Sequence, residues 1–302
     1  MNRALQKRYI PKMDTEVTFL GFGALEIGRN WGLGDDKERP AEEVAGQVLN
    51  TVLDAGINLI DSASAYHRSE ERIGKYVSSR RSEYVLATKC GEHSSEPSTY
   101  YDFSYDAITE SIDRSLKLLN TDVIDLIQIH FGPDSEGVLN RGETVRAMKD
   151  ARAAGKVRYL GASIDGELAK RCILSGDFDV MQMGYNLFYQ ANAENIRLCK
   201  ERGMGVLIRS GLGNGLLTSR VASNLDRLGE QDRAKAEKLL KLVEGDTELL
   251  TALGLHFLYE NDGISSVIVG TKKPANVLKN VELLSRDLPE GLLEKAKAVV
   301  SE

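Results

Sequence analysis

Eight short runs of β-branched and other apolar residues recur along the chain, and segments with helical periodicity separate them. The runs cover residues 17–21, 57–60, 84–88, 123–129, 157–160, 180–182, 205–208 and 266–269. Between the runs, apolar residues recur at spacings of three and four, as in Val44, Val48, Leu49 and Val52, which is typical of a helix with one buried face. Strands that alternate with helices predict parallel pairing through right-handed crossovers. Eight such units in 302 residues favour an α/β fold of the closed (β/α)8 type, a TIM barrel.

The sequence also predicts the number of domains, the long loops and the terminal segments. No change in composition and no linker rich in proline, glycine or serine divides the chain, so we expect one domain over residues 1–302. Long loops over 91–104 and 210–246 should follow the third and seventh strands, and the second should carry an extra helix. Residues up to about Asp14 should cover the bottom of the barrel, and residues 274–302 should form two further helices.

Composition excludes several classes of protein. The net charge of -6 argues against a nucleic-acid surface, which needs clustered lysine and arginine. The sequence contains no run of about 18 apolar residues, so we expect no membrane span. The N-terminus lacks the apolar core of a secretory signal, so we expect no such signal. Three cysteines without metal-ligand spacing predict a reduced, cytoplasmic protein with no metal site. The oligomeric state is left open.

Four polar residues follow the ends of consecutive predicted strands. Asp61 ends the second strand, Tyr66 follows it by five residues, Lys89 ends the third strand, and His130 ends the fourth. Barrel enzymes carry their chemistry at the carboxyl ends of the strands, and neighbouring strands lie about 5 Å apart. Each of these side chains alone has a common structural use, but together at consecutive strand ends they predict a catalytic cluster.

The chemistry of that cluster is acid–base chemistry at an oxygen atom. A free tyrosine titrates near pH 10, and we expect the ammonium of Lys89 to lower the pKa of Tyr66. Asp61 would keep Lys89 charged and in place, while His130 would bind a substrate oxygen and orient a carbonyl toward Tyr66. Since no side chain supplies a hydride, reduction of a carbonyl implies a nicotinamide cofactor.

The order of motifs along nearly the whole chain resembles that of the aldo-keto reductase superfamily. LGFG at 20–23 resembles the opening LGxG segment, and DSASAY at 61–66 with SEERIG at 69–74 resembles the DTAxxYxxSEExxG signature. SIDRSLKLLNTDVIDLIQIH at 111–130, GKVRYLGAS at 155–163 and QMGYN at 182–186 resemble the later motifs SLxxLxxDYIDLxxxH, GKVRxIGVS and QxxYN. The resemblance implies that Asp61, Tyr66, Lys89 and His130 are the catalytic tetrad of an NADP(H)-dependent reductase of aldehydes or ketones.

The resemblance also implies a set of cofactor-binding residues. Those expected at the nicotinamide and the pyrophosphate are Ser163, Gln182, Arg209, Ser210, Leu212 and Gly215. Ile164 replaces the asparagine that usually accompanies the serine, and Asp165 would compensate only if its loop shifted. Arg209 stands where an aromatic residue is common, so its guanidinium would stack on the nicotinamide ring or bind an acidic group of the substrate or cofactor.

The adenosine-phosphate segment near the C-terminus departs from the family in part. Its expected cofactor contacts are Gly270, Thr271, Lys272, Asn276 and Asn280. Asn276 replaces the usual arginine or glutamine, but two lysines in this loop favour NADPH over NADH because the 2′-phosphate needs a counter-charge. NAD(H) is kept as an alternative. We expect Leu25, Trp31 and Phe131 to line the substrate pocket, and the loops 26–39, 91–104 and 211–246 to set specificity.

Three other functions remain open at this point. The same groups suit an NAD(P)-dependent dehydrogenase of a sugar or other polyol, because tyrosinate accepts the proton in the reverse reaction. A cofactor-bound sensor or regulatory subunit would bind NADPH without turnover. A cofactor-free isomerase or aldolase would form a Schiff base at Lys89. The expected binding partner of the protein is a small-molecule carbonyl or alcohol substrate; the sensor hypothesis alone requires no turnover of it.

Overall fold

Twelve strands form one closed barrel and two hairpins in the computed structural model, which describes residues 2–32 and 37–301. In chain order the strands are β1 (Lys7–Ile10), β2 (Thr15–Thr18), β3 (Leu20–Gly23), β4 (Leu59–Asp61), β5 (Val85–Cys90), β6 (Glu92–Ser95), β7 (Ser98–Tyr101), β8 (Ile124–His130), β9 (Val157–Ser163), β10 (Val180–Gly184), β11 (Gly205–Arg209) and β12 (Ser266–Gly270). The barrel consists of β3, β4, β5 and β8 to β12, each parallel to the next, and β12 closes on β3 with Val267 opposite Leu20. The predicted (β/α)8 barrel is confirmed.

Helices surround the barrel. They are α1 (Leu25–Gly28), α2 (Glu42–Asp54), α3 (Ser69–Val77), α4 (Tyr105–Leu119), α5 (Ser135–Arg141), α6 (Glu143–Ala153), α7 (Gly166–Ser175), α8 (Ala193–Glu201), α9 (Val221–Asn224), α10 (Glu230–Leu242), α11 (Thr247–Tyr259), α12 (Pro274–Ser285) and α13 (Leu292–Ser301). Short 3-10 turns cover Arg3–Leu5, Pro11–Met13, Ser78–Glu83, Gly213–Gly215 and Leu225–Arg227. Among the described residues, no helix combines the length and apolar character needed to cross a membrane.

The spacing of apolar residues explains how the helices attach to the barrel. Val48, Leu49 and Val52 of α2 are fully buried, as the spacing predicts. Burial of one such side chain stabilises the fold by about 1.5–3 kcal/mol. The helix α4 begins where the Ser104 side chain accepts a hydrogen bond from the backbone of Ala107, which is a typical N-cap. The helix α4 packs against β5, whose carboxyl end carries part of the candidate site.

The N-terminal hairpin closes the bottom of the barrel. β1 and β2 pair in antiparallel fashion, and Ile10, Met13 and Val17 form one apolar cluster with barrel residues such as Leu59 and Leu126. The expected cover over the bottom is therefore present. The predicted first strand at 17–21 is wrong in its bounds, because the chain changes partners within it.

Phe19 is the point where the partner changes. Its backbone N–H donates to Gln6 of the hairpin region at 2.9 Å, while its carbonyl accepts from Val267 of the barrel at 2.7 Å. The apolar run therefore ends one hairpin strand and begins the first barrel strand at Leu20.

The two long loops lie at the carboxyl end of the barrel strands. The segment 91–104, expected as a plain loop, contains the antiparallel hairpin of β6 and β7. Gly91 begins it with φ +101°, and a Cβ atom there would lie 2.4 Å from the Phe103 ring, so only glycine fits. The segment 210–246 contains the expected extra helix, α10, preceded by the short α9.

Candidate active site

The carboxyl ends of β4, β5 and β8 bring three of the predicted residues to one mouth of the barrel. Asp61 is the last residue of β4, Lys89 the last but one of β5, and His130 the last of β8. Tyr66 lies in the turn between β4 and α3, where its backbone N–H donates to Ala63 at 3.0 Å. The Lys89 Nζ atom lies 5.1 Å from the centre of the Tyr66 ring, and the rings of Tyr66 and His130 meet edge to face at 5.9 Å. The structure thus brings the four side chains together.

The turn that carries Tyr66 is packed against α1. The Tyr66 carbonyl accepts from the backbone of Ser69 at 3.0 Å, and the Ser69 hydroxyl donates to Ala24 at 3.0 Å. A Cβ atom on Gly28 would lie 2.2 Å from the Tyr66 carbonyl oxygen. The close approach of α1 therefore fixes the backbone at Tyr66.

Lys89 and Asp61 form a buried ion pair. Nζ of Lys89 lies 2.5 Å from Oδ2 of Asp61 and donates to the backbone oxygen of Ser62 at 2.8 Å. Burial lowers the pKa of Lys89, but the charge of Asp61 and the contact with Tyr66 more than offset it, so the pKa is raised overall. Lys89 is therefore an ammonium at neutral pH, which is not a nucleophile.

Two glutamines hold the other carboxylate oxygen of Asp61. Oδ1 accepts from Nε2 of Gln128 at 2.9 Å and from Nε2 of Gln182 at 3.0 Å. These bonds satisfy the buried carboxylate, whose desolvation is costly without partners. Gln128 was not among the residues predicted from the sequence. Its inward position on β8, two residues before His130, is the signal that would have identified it.

Tyr66 is a neutral phenol in this environment. Burial raises the pKa of Tyr66 above its ordinary value of 10.0, and the charge of Lys89 lowers it by less. The expected effect of Lys89 has the predicted sign, but the expectation of a lowered pKa is wrong in its net direction because desolvation penalises the phenolate. A neutral phenol is the form that donates a proton to an oxygen.

His130 contacts a buried glutamate that the sequence analysis missed. Nδ1 of His130 lies 3.0 Å from Oε2 of Glu92, out of line for a hydrogen bond. Burial and the positive charges of Lys89, Arg209 and Arg29 lower the pKa of His130 to about 3. His130 is therefore neutral near pH 7. Glu92 begins β6, so the unexpected hairpin is what places it at the site.

The residues expected at the nicotinamide lie beside this cluster. Ser163 ends β9, and its hydroxyl donates to Oε1 of Gln182 at 3.4 Å. Gln182 in turn contacts Asp61, so these two residues connect the cofactor side of the site to the ion pair. Ile164, which follows Ser163, is buried.

Asp165 and Arg209 form an ion pair at the rim. One carboxylate oxygen of Asp165 accepts from the backbone of Gly184 and from Nδ2 of Asn192, both at 2.8 Å, and the other pairs with Arg209. Asp165 is thus held toward Arg209, which gives the Arg209 guanidinium a partner within the chain. Both side chains are partly exposed, with 39% of the Arg209 side-chain surface and 44% of the Asp165 side-chain surface accessible.

The residues expected along the pyrophosphate follow β11. Ser210 has φ 55° and its carbonyl accepts from Nδ2 of Asn186 at 2.9 Å. Leu212 packs against the core, and Gly215 has φ +103°. The expected adenosine segment follows β12, which Gly270 ends.

In the adenosine segment, the side chains expected to meet a phosphate gather at the start of α12. Thr271 and Lys272 are buried, and Asn276 donates from Nδ2 to the hydroxyl of Thr271 at 3.1 Å. Lys273 is exposed and stands at the N-cap position of α12 without a capping side-chain hydrogen bond, and Asn280 lies half-buried on the same helix. Backbone N–H groups at a helix start, next to lysines, suit a phosphate.

The expected substrate-pocket residues lie on separate elements at the same mouth. Leu25 begins α1 and is half-buried, Trp31 is 49% exposed, and Phe131 follows His130 and stacks on Phe103 at 6.5 Å. The specificity loop predicted at 26–39 includes residues 33–36, which lie outside the described residues.

Comparison with known proteins identifies the family. The family model described as the aldo/keto reductase family matches residues 20–300. An uncharacterized oxidoreductase of Bacillus subtilis, YqkF, is 28% identical, with 98% of this chain and 96% of the relative aligned. L-galactose dehydrogenase of Arabidopsis thaliana is 27% identical, with 98% and 94% aligned.

A solved aldo-keto reductase from Bacillus halodurans, in its holo form, has the same fold. Its TM-score is 0.80 at 26% sequence identity, and the match covers 98% of this chain and 96% of that one. The family model spans well over half of the sequence. The protein therefore belongs to the aldo/keto reductase family and is an oxidoreductase of that family.

Proposed function

We propose that the protein is an NADP(H)-dependent reductase that converts an aldehyde or ketone to an alcohol, with Tyr66 as the general acid. The observation that carries the proposal is the placement of the Tyr66 phenol between an ammonium and a neutral imidazole. The ammonium of Lys89 lies 5.1 Å from the ring centre, and the ring of His130 lies 5.9 Å away. This is the environment of a proton donor to a carbonyl oxygen.

Each side chain then has a role that follows from its contacts. Tyr66 donates its proton to the carbonyl oxygen, and the nearby charge of Lys89 stabilises the phenolate that remains. Asp61 keeps Lys89 protonated, and Gln128 and Gln182 keep Asp61 in place. His130 binds a substrate oxygen. A bound nicotinamide supplies the hydride that no side chain can provide.

The donor set of the chain fits a nicotinamide dinucleotide. Ser163 and Gln182 offer a hydroxyl and an amide next to Asp61, which suits a carboxamide. The backbone after β11 and the start of α12, with Lys272 and Lys273, suits phosphates. Arg209, Ser210, Leu212, Gly215, Gly270, Thr271, Asn276 and Asn280 complete the proposed cofactor site.

The two lysines favour NADPH, because a 2′-phosphate needs a counter-charge. Asn276 does not add one, because its amide is uncharged, and its Nδ2 donates to the hydroxyl of Thr271. We propose a cytoplasmic location for such an enzyme, and three free, buried cysteines support a reducing compartment.

A second candidate is an NAD(P)-dependent dehydrogenase of a sugar or polyol. The similarity to L-galactose dehydrogenase favours it, and the same four side chains serve the reverse reaction. The other two readings have less support: the set of four residues argues against a sensor without turnover, and the protonated, ion-paired Lys89 argues against a Schiff base.

The test is a screen of cofactor oxidation over aldehydes and ketones, and of cofactor reduction over sugars and polyols, with NADPH or NADH in turn. Carbonyl reduction faster with NADPH supports the main proposal. A clear preference for NAD and alcohols favours the dehydrogenase. Cofactor binding that quenches the fluorescence of Trp31, without turnover of any substrate, would identify a sensor.

A further inference from the structure

The turn that carries Tyr66 is bonded to strand β6 on both sides of the tyrosine. On one side, the hydroxyl of Ser64 donates to the backbone carbonyl of Glu92 at 2.6 Å. On the other side, Nδ1 of His67 and the hydroxyl of Ser94 form a hydrogen bond of 2.7 Å. Glu92 and Ser94 both belong to β6, so one strand of the hairpin holds the two sides of the tyrosine turn.

Ser64 also connects this turn to the strand that carries Lys89. Its backbone N–H donates to the carbonyl of Lys89 at 3.1 Å, while its hydroxyl bonds to Glu92. The Nζ atom of Lys89 lies 5.1 Å from the centre of the Tyr66 ring. Ser64 therefore attaches the turn of the phenol to the backbone that carries its ammonium partner.

His67 has a backbone conformation that residues other than glycine rarely adopt. Its φ is 48°, in the left-handed region. A conformation of this kind persists where the surrounding contacts enforce it, and it is common at functional sites. The ring of His67 bonds to Ser94 and interacts with the backbone of Pro97, in the turn after β6. The hairpin therefore stabilises the conformation of the residue directly after Tyr66.

Proton transfer from Tyr66 depends on the alignment of its ring with Lys89 and His130. A misplacement of about 1 Å in a catalytic site can cost about 100-fold in rate. Ser64 and His67 stand at positions that the signature DTAxxYxxSEExxG leaves unspecified, so the motif itself assigns them no role.

We propose that Ser64 and His67 are positioning residues that hold the Tyr66 turn on β6 and so keep the phenol aligned with Lys89 and His130. Both act through the backbone of the turn, and the hairpin of β6 and β7 is their support. This inference rests on the proposed function, in which Tyr66 is the general acid.

The placement of Tyr66 is tested by NMR of the protein with ¹³C-labelled tyrosine rings. The chain has 11 tyrosines, and the Tyr66→Phe spectrum identifies the signal of Tyr66. In His67→Gly, glycine adopts a φ of 48° without strain but forms no bond to Ser94. We expect the Tyr66 signal to shift. An unchanged Tyr66 signal would overturn the role of His67, whether or not a substrate has been found.

Asn120→Gly is the matched control for His67→Gly. Asn120 has φ 50°, and its Nδ2 donates to the hydroxyl of Ser78 at 3.1 Å, so the change removes a side-chain bond at the same kind of backbone position. Asn120 follows α4 and precedes the amino end of β8, away from the barrel mouth. The Tyr66 signal and kcat should keep their wild-type values in Asn120→Gly. An equal shift in both variants would overturn the role of His67.

Steady-state kinetics separates positioning from a general effect on folding. With the best carbonyl substrate, kcat of His67→Gly and of Ser64→Ala should each fall about 10-fold, the effect of one hydrogen bond. The Kd for the cofactor, measured by fluorescence, should stay at the wild-type value, since neither residue belongs to the proposed cofactor site. Ser64→Thr keeps a hydroxyl and should restore kcat. An unchanged kcat in Ser64→Ala, or equal losses in Ser64→Ala and Ser64→Thr, would overturn the role of Ser64.

A double-mutant cycle tests the bond between His67 and Ser94. Ser94→Ala should lower kcat as much as His67→Gly does, because both changes break the same bond. Since the bond is lost only once, the double variant should be about as active as either single variant. If the two losses instead multiplied to about 100-fold, the residues would act separately, and the role assigned to their bond would be overturned.

Failure of the function and failure of this inference give different results. If the wild type turns over no carbonyl, the reductase function fails, while the Tyr66 signal in His67→Gly still decides the positioning role. If carbonyls are turned over and neither the Tyr66 signal nor kcat responds to these variants, the function stands and this inference fails.

Discussion

Nζ of Lys89 lies 2.5 Å from Oδ2 of Asp61 in the interior of the barrel mouth. Because this ion pair raises the pKa of Lys89, the amine is protonated and cannot attack a carbonyl. Incubation with an aldehyde and borohydride should therefore leave no adduct on Lys89, as read by mass spectrometry of its peptide. An adduct on Lys89, absent from Lys89→Met, would restore the reading as an aldolase or isomerase.

The neutral state of His130 predicts how stability responds to pH. Burial and the charges of Lys89, Arg209 and Arg29 lower its pKa from 6.5 to about 3 in the folded protein. Between these values the unfolded state binds more protons, so the free energy of unfolding rises with pH, by at most about 1.4 kcal/mol per unit. Urea unfolding should show that wild type loses more stability than His130→Gln on acidification from about pH 7 to about pH 4.

Stabilisation of the wild type on acidification would contradict the neutral state of His130. If acidification stabilised the wild type relative to His130→Gln, the imidazolium would be paired with Glu92, whose carboxylate lies 3.0 Å from Nδ1. His130 would then donate from both nitrogens, against the neutral form assigned to it.

We expect a substitution at Gly28 to disturb both the packing of α1 against the Tyr66 turn and the catalytic activity. A Cβ atom there would lie 2.2 Å from the carbonyl oxygen of Tyr66, so Gly28→Ala must displace α1 or the Tyr66 turn. We expect the free energy of unfolding to fall by about 1–3 kcal/mol, with a loss of kcat. Gly229→Ala is the control, because nothing lies within 4 Å of a Cβ atom at that position. Equal effects of the two changes in unfolding and kinetic assays would contradict the packing argument.

We expect the ammonium of Lys273 to favour NADPH over NADH. It is exposed at the start of α12, where a 2′-phosphate would meet its ammonium. Lys273→Met should raise KM for NADPH about 10-fold, the effect of one charge-assisted hydrogen bond, and leave KM for NADH unchanged. Lys7→Met, in the hairpin at the other end of the barrel, is the control. A parallel rise for both cofactors would remove the assigned role in discriminating them.

The sequence predicted those parts of the site that depend on strand order alone. Asp61, Lys89 and His130 lie at the carboxyl ends of consecutive strands of the barrel, and parallel pairing is enough to bring them together. The (β/α)8 fold was predictable for the same reason, because its periodicity is local. The bounds of the first strand were not predictable, since the backbone of Phe19 forms hydrogen bonds both to Gln6, beside the hairpin, and to Val267 of the barrel.

The missed features depend on contacts between distant residues. Glu92 reaches His130 only because 91–104 folds as a hairpin, whose pairing no periodicity in that segment indicated. Arg209 pairs with Asp165, 44 residues away, so its charge is not simply available to a substrate as expected. The pKa of Tyr66 depends on the balance between burial and the charge of Lys89, and spacing along the chain measures neither.

The central claim is that the Tyr66 phenol donates the proton, and Tyr66→Phe removes only that hydroxyl. Steady-state kinetics with NADPH and the best carbonyl substrate should show kcat/KM reduced at least about 100-fold. Cofactor affinity, measured by fluorescence, should be unchanged. Tyr9→Phe, which removes an exposed hydroxyl bonded to Asp14 in the N-terminal hairpin, should keep wild-type activity. Undiminished reduction by Tyr66→Phe would contradict the claim.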